Sequence, residues 1–149
     1  RGRPAFVARR VQHMRYEATL ALYADIDQGI DTGLALFQNE GHWFFLGVRR
    51  SDGGREVFLE RSVGAVRTTV DQARIGNAEA LRLRVIAEDA DYRFAFAADA
   101  GAWRAVGGAQ DGTILSTSVA GGFVGAMLGP FARCRDCADP SVTRPDPAP

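Results

Sequence analysis

Lysine is absent from the sequence, and all 18 of its cationic side chains are arginines. They are balanced by 18 acidic residues, so the formal net charge at pH 7 is zero. A protein whose main partner is a nucleic acid needs a net basic surface to displace the counterions of the phosphates. The charge balance therefore argues against nucleic acid as a partner.

Long apolar runs and long helical patterns are also missing. No run is long enough to cross a bilayer, and no signal-peptide pattern opens the chain, so no membrane partner is predicted. Capped helical periodicity nowhere extends over about ten residues, and 74–83 has room for a single turn at most. The chain begins at Arg1 rather than at methionine, which is compatible with a processed or cut-out piece.

The most informative stretch that is present is Gly33–Arg50. Two apolar runs, Leu34–Phe37 and Trp43–Val48, flank a polar segment that contains Asn39, Glu40 and Gly41, so a β-hairpin is predicted. The second run is apolar on both of its alternating faces. An edge hairpin would be polar at every second residue, so this hairpin is expected in the middle of a two-layer structure, buried on both faces.

Further short runs predict roughly ten strands at intervals of about 8–12 residues, which is typical of an antiparallel jelly-roll sandwich. The predicted fold class is therefore all-β, with residues 1–132 forming one β-sandwich domain. The last strand is predicted at Gly121–Phe131. Residues 133–149, rich in Cys, Asp and Pro, are predicted to form a flexible tail.

Two small clusters have the composition of metal or redox sites. Asp25, Asp27 and Asp31 form an oxygen-rich loop of the kind calcium favours, but they lack the spacing and closing Glu of an EF-hand. A solvated loop is the preferred interpretation, so no metal and no cofactor are predicted. Cys134 and Cys137 form a C-x-x-C without a second ligand pair or a βαβ context, so idle thiols or a strained local disulfide are favoured. A reactive thiol remains an alternative, because the neighbouring arginines would lower its pKa.

His42 and Trp43 at the hairpin tip are candidates for a sugar platform, because an exposed aromatic face stacks on pyranose C–H bonds. A Trp that opens an apolar strand is as readily a core residue, and the two interpretations are evenly balanced. No catalytic residue is predicted. Glycoside hydrolysis needs two carboxyl groups at a defined separation, and the glutamates all look like outward or turn positions: Glu17, Glu40, Glu56, Glu60 and Glu88.

Several runs occur in an order that resembles a known family. They include R-R-x-Q-H at Arg9–His13, the hairpin segments around Thr32–Glu40 and Phe45–Gly47, and A-G-G-F-x-G at Ala120–Gly125. From about Pro4 to Phe131 the chain resembles the C-terminal concanavalin A-like domain of family 43 glycoside hydrolases, the β-xylosidases and α-L-arabinofuranosidases. The first and last of these runs are fairly specific to that family.

The resemblance implies a non-catalytic accessory domain that packs against a catalytic five-bladed propeller of the same protein. It also implies that a loop reaches the mouth of the substrate pocket with one aromatic side chain, which by motif match is Phe123. Xylo-oligosaccharides or arabinoxylan fragments are the implied ligands, and a homo-oligomer is compatible with the domain's role in assembly. Two family strands, one before the R-R-x-Q-H run and one after the G-G-F run, have no clear counterpart, so one or two edge strands are expected to be missing. The alternatives are a free-standing carbohydrate-binding module that uses Trp43 and a purely structural sandwich.

Overall fold

The chain folds into two antiparallel β-sheets. A computed structural model describes residues 5–6, 9–10, 15–51, 53–115 and 126–135. Its strands are β1 (Ala5–Phe6), β2 (Arg9–Arg10), β3 (Arg15–Tyr23), β4 (Ile30–Asn39), β5 (His42–Ser51), β6 (Gly54–Val63), β7 (Val66–Arg74), β8 (Ala80–Glu88), β9 (Asp91–Ala98), β10 (Arg104–Asp111) and β11 (Met127–Cys134), with a 3-10 turn at Gly112–Leu115. The predicted all-β antiparallel sandwich is confirmed.

The larger sheet has the strand order β1-β11-β4-β5-β6-β7, and β2 also pairs with β11. Strands β4 to β7 follow one another through tight turns, because each connection carries residues suited to a sharp reversal. At the β6–β7 turn, Gly64 and Ala65 both have positive φ, 59° and 68°. The predicted central hairpin is β4–β5, with Leu36 opposite Phe44 and Ala35 opposite Phe45.

The smaller sheet has the order β10-β9-β8-β3, in which β8, β9 and β10 form a meander of three strands. The main core lies between the two sheets, where Phe44 of β5 and Phe94 of β9 place their ring centroids 5.2 Å apart. Period-two alternation explains this core, since every second residue of each strand points inward. The fully buried inward residues include Leu36, Leu46, Val48, Val57, Leu59, Leu83, Val85 and Phe96.

Two boundaries differ from those expected. Asp31, expected in a loop, is the second residue of β4 and is fully buried. Strand β11 runs from Met127 to Cys134, so Arg133 and Cys134 lie in the sheet and not in a tail. Within the described part of the chain, no helix is long and apolar enough to span a membrane.

Candidate functional site

A second apolar cluster lies on the outer face of the larger sheet, away from the main core. Its buried members are Ala35, Phe45 and Phe58, and the partly buried Trp43 and Phe131 pack against them. We call these five residues the outer cluster. They come from four neighbouring strands, β11, β4, β5 and β6, and the register brings them together because Phe131, Ala35 and Phe45 all point to the same side.

Aromatic rings meet edge to face throughout the outer cluster. The ring centroid of Phe45 is 5.4 Å from that of Phe58 and 5.0 Å from that of Phe131, with interplanar angles of 84° and 86°. The rings can approach because the neighbouring cross-strand pair is Gly33–Gly47. A Cβ placed on Gly47 would lie 2.6 Å from Phe58 Cζ and 2.9 Å from Phe45 Cζ, so no larger residue fits there without moving a ring.

Beside the outer cluster lies a buried ion network made of Arg133, Glu60, Asp31 and Arg135. Arg133 donates two hydrogen bonds to Glu60, from Nη1 to Oε1 at 3.0 Å and from Nη2 to Oε2 at 2.9 Å. Its Nε donates to Asp31 Oδ2 at 2.9 Å, and Arg135 Nε lies 2.6 Å from Asp31 Oδ1. Such bidentate, charge-assisted contacts are strong and set the geometry of both partners.

The charge of Arg133 is secured by these contacts. Burial by itself lowers the pKa of Arg133, but the hydrogen bonds and charges of Glu60 and Asp31 outweigh burial, so the pKa is raised above its ordinary value. The guanidinium carbon also lies 5.0 Å from the ring centroid of Phe45. Arg133 therefore joins the ion network to the outer cluster as a fixed cation.

Four residues of the outer cluster, together with Arg133 of the ion network, line a cleft of about 450 Å³, which we call the outer cleft. Most of the residues that line it are aromatic, and three are charged: Ala35, Phe37, Glu40, Trp43, Phe44, Phe45, Arg67, Phe131 and Arg133. This composition, mainly apolar with a few polar groups at the rim, is typical of a binding or packing site.

Trp43 is predicted as either a sugar platform or a core residue, and its burial in the structure is intermediate between these two cases. It is partly buried at one end of the outer cleft, and its Nε1 donates to the Glu40 carbonyl oxygen at 3.3 Å. The indole is therefore held at the rim, where it can contact a molecule seated in the outer cleft.

His42 uses both ring nitrogens to tie two turns together. Its Nε2 accepts a hydrogen bond from the backbone N–H of Gly64 at 3.3 Å, so Nδ1 carries the proton and donates to Asn39 Oδ1 at 3.1 Å. The backbone N–H of Ala65 also donates to the Gly41 carbonyl oxygen at 3.0 Å, which joins the same two turns. To contact a sugar with a ring nitrogen, His42 would have to give up one of these bonds.

Phe123 lies outside the described residues. The chain is described up to Leu115 and again from Ala126, and β11 then begins with Met127 opposite Phe37. The chain that carries Phe123 therefore returns to the sheet beside a residue that lines the outer cleft.

The candidate metal residues do not form one group. Asp25 and Asp27 are exposed, while Asp31 is fully buried in the ion network. Among the described residues, no three His, Cys, Asp or Glu side chains lie close enough to hold a metal ion. Cys134 is disulfide-bonded, and Cys137 lies outside the described residues.

Sequence reasoning missed the buried role of Glu60 and Arg133. The sequence predicts Glu60 as one of the outward glutamates, yet Glu60 is only 6% exposed in the structure. Arg133 was placed in the tail, yet it holds two buried carboxylates. The sequence contains one signal of this role. Glu60 lies two residues after Phe58, so alternation places both side chains on the same face of β6, and that face already carries an aromatic residue.

Comparisons with known proteins agree with this architecture. The family described as the β-xylosidase C-terminal concanavalin A-like domain matches residues 1–139. Similar solved structures include a GH43_12 protein retrieved from a capybara gut metagenome, with a TM-score of 0.81 and 27% identity over 86% of this chain and 25% of that one. A xylan β-1,4-xylosidase from Bacillus halodurans has a TM-score of 0.78 and 20% identity over 87% of this chain and 26% of its own.

A GH43 protein from Bacillus licheniformis gives a TM-score of 0.77 and 20% identity over 86% of this chain and 25% of that protein. The chain thus spans about a quarter of the length of these structures. No curated protein sequence matches it.

Proposed function

Because this chain belongs to the family of β-xylosidase C-terminal concanavalin A-like domains, we propose that it is the accessory domain of a family 43 glycoside hydrolase that acts on xylan-derived sugars. In this proposal the domain is not catalytic by itself. It packs against a catalytic propeller domain of the same protein and contributes to the substrate pocket and to assembly.

The observation that carries the proposal is the outer cleft. A sandwich buries its inner faces by itself, and an additional aromatic cleft on an outer face marks a surface that another body covers. The similar structures named above have about three quarters of their length outside the matched part. A catalytic domain of the same protein is therefore the partner that we assign to the outer cleft.

The contribution to the substrate pocket rests on the resemblance and on where the chain re-enters the sheet. Phe123 matches the aromatic residue of the A-G-G-F-x-G run, and Met127 then pairs with Phe37 beside the outer cleft. A domain packed on the outer cleft would bring its own surface near Met127, where the chain re-enters the sheet. A pocket wall acts through position, so its loss changes substrate handling more than stability.

Activity assays test the catalytic part of the proposal. We expect the complete protein that contains this chain to release nitrophenol from an aryl xyloside, and the 149-residue chain to release none. In the complete enzyme, Phe123→Ala should change KM or kcat, while the free energy of unfolding of the 149-residue chain stays within about 1 kcal/mol. Release by the 149-residue chain that one carboxylate substitution abolishes would overturn the proposal, as would a Phe123→Ala variant that melts the chain.

Charge placed in the outer cleft tests the packing. Phe37→Asp should lower the melting temperature of the complete protein and detach the two domains in limited proteolysis, while the 149-residue chain changes little because Phe37 is only partly buried. The matched control is Val66→Asp on edge strand β7, where Val66 is 67% exposed. Equal effects of the two variants on the complete protein would contradict packing at the outer cleft.

One observation favours a second function, carbohydrate binding by the domain alone. Trp43 lies at the rim of a cleft large enough for a sugar, and aromatic faces are common sugar contacts. In that case xylo-oligosaccharides would quench the tryptophan fluorescence of the 149-residue chain, and Trp43→Ala would abolish the quenching. The accessory function expects no such binding until the catalytic domain is present.

A further inference from the structure

The outer face of the smaller sheet carries a cationic site of its own. Arg82 and Arg84 are two residues apart on β8 and therefore point to the same side, where they meet Trp103, the residue that precedes β10. We propose that Arg82, Arg84 and Trp103 bind the carboxylate of a uronic acid residue on a glycan chain, and we call the three side chains the arginine–tryptophan site.

Both guanidinium groups are held against the same indole. The guanidinium carbon of Arg84 lies 4.1 Å from the ring centroid of Trp103, and that of Arg82 lies 4.9 Å from it. Cation–π contacts of this kind hold an arginine side chain without consuming the N–H donors at its edge. The indole therefore presents two arginines in a fixed arrangement, which lowers the entropy cost of binding an anion.

The arginine–tryptophan site is short of negative charge. The closest carboxylate to Arg84 is that of Glu17, with Nη1 and Oε2 3.8 Å apart and the Glu17 side chain 56% exposed. Arg82 has no carboxylate within 4.0 Å among the described residues, and its Nη2 lies 3.4 Å from the Gly101 carbonyl oxygen. Of the two cations, only Arg84 has a carboxylate nearby, and that carboxylate is loosely held.

Arg84 is also poorly solvated. Its side chain is 23% exposed, and its Nε is buried with no acceptor among the described residues. Ala97 lies opposite Arg82 on the same outer face. It is fully buried, although the outer face of the neighbouring strands is open to solvent. A partly desolvated guanidinium gains more from an incoming carboxylate than one in open water does.

The surroundings favour one isolated carboxylate over a polyanion. The register places Glu17, Glu88 and Asp91 on the same face as the two arginines, toward the other end of β8. A nucleic acid or another dense polyanion would bring repeated charges against these acids. A glycan with occasional uronic acid groups places a single carboxylate between the arginines and leaves neutral sugars over the rest of the face.

The choice of a glycan rests on the proposed function, whereas the carboxylate specificity does not. The test therefore uses three probes: a xylo-oligosaccharide that carries one glucuronic acid, the same oligosaccharide without it, and free glucuronate. The chain has two tryptophans, so Trp43→Phe in the 149-residue chain leaves Trp103 as the only tryptophan reporter. Fluorescence titration then observes the arginine–tryptophan site alone.

We expect the acidic oligosaccharide to bind at least about tenfold more tightly than the neutral one, a difference of about 1.4 kcal/mol. Added salt should weaken this binding, because it depends on charge. Arg84→Gln and Arg82→Gln should each abolish the preference, with the melting temperature measured to show that both variants are folded. If free glucuronate binds as tightly as the oligosaccharide, the proposed binding of a carboxylate at this site holds, and the molecule that supplies the carboxylate is the free sugar acid.

The matched control is Arg93→Gln. Arg93 lies on the same outer face, but its side chain is 65% exposed and contacts Asp91 at 3.2 Å, away from any aromatic ring. This variant should bind the acidic oligosaccharide as the parent chain does. Equal binding of the two oligosaccharides, no binding of either acidic probe, or an equal loss in Arg93→Gln would overturn the proposal. None of these results depends on whether the complete protein hydrolyses xylosides.

Discussion

The inner and outer faces of the larger sheet both carry large apolar side chains, but they are closed in different ways. On the inner face, Phe44 packs against Phe94 of the opposite sheet and is fully buried. On the outer face, Phe45 is also buried, yet no second sheet formed by the described residues lies above it, and its neighbours include other aromatic rings and the cation of Arg133.

The difference shows that burial in this sheet has two sources. The inner face is closed because two sheets meet, and a cluster of buried apolar residues lies between them. The outer face is closed by side chains of the sheet itself, with an ion network at its margin and a cleft that is open to a partner.

The largest expected effect comes from truncating matched residues on the two faces. Phe44→Ala should lower the free energy of unfolding by an amount near the top of the usual range of about 3–5 kcal/mol, and Phe45→Ala by an amount near the bottom. The cavity left by Phe44→Ala would be enclosed, whereas the cavity left by Phe45→Ala would join the outer cleft and admit water. Urea unfolding of the 149-residue chain measures both. A larger loss for Phe45→Ala would show that the outer cluster is the tighter of the two.

A somewhat smaller effect is expected from the ion network. Arg133→Met should cost about 3 kcal/mol, because Asp31 and Glu60 would be left buried without their cation. Adding Asp31→Asn and Glu60→Gln to this variant should restore much of the stability, since the uncompensated charges are gone. Arg93→Met, at an exposed pair, should change the free energy of unfolding by no more than about 0.5 kcal/mol. If Arg133→Met behaves like this control, the network does not hold the outer face together.

The smallest effect concerns a titratable group that touches the main core. Tyr16 packs edge to face on Tyr92, with centroids 6.0 Å apart, and burial raises its pKa above the ordinary value of 10.0. A raised folded-state pKa contributes stability that is complete below the unfolded pKa and is lost as the pH rises above it.

The melting temperature of the parent chain should therefore fall more steeply above about pH 10 than that of Tyr16→Phe. Tyr23→Phe, at a residue that is 82% exposed, is the control and should keep the slope of the parent chain. Identical slopes for the parent chain and Tyr16→Phe would show that the Tyr16 hydroxyl does not stay protonated in the fold.

Much of the fold could be predicted from the sequence, because alternation and turn residues are local signals. The β4–β5 hairpin and the meander from β8 to β10 follow from such patterns. The burial of both faces of Phe44–Val48 was also predicted, although the outer face is closed by the outer cluster rather than by a second layer.

The candidate site was less accessible to sequence reasoning, because its contacts join distant parts of the chain. Arg133 and Asp31 are 102 positions apart, and Arg133 and Glu60 are 73 apart. A single sequence shows that an arginine and two acids exist, but not which strands become neighbours. The sequence therefore predicts Asp31 as one of three loop acids and places the start of the tail at Arg133.

The position of β11 has a consequence for the order in which the molecule forms. Strands β4 to β7 and β8 to β10 pair with neighbours in sequence, whereas β11 pairs with β4 from a position far later in the sequence. Contacts over such long separations form late, because closing the intervening loop costs conformational entropy before the contact contributes any favourable free energy. We expect a nascent chain on the ribosome to hold the hairpins first and to leave Phe45, Asp31 and Glu60 exposed until Phe131 and Arg133 emerge. In pulse-labelled amide exchange, β4 should then gain protection on its β5 side before its β11 side, so that the outer cleft is the last part of the surface to exist.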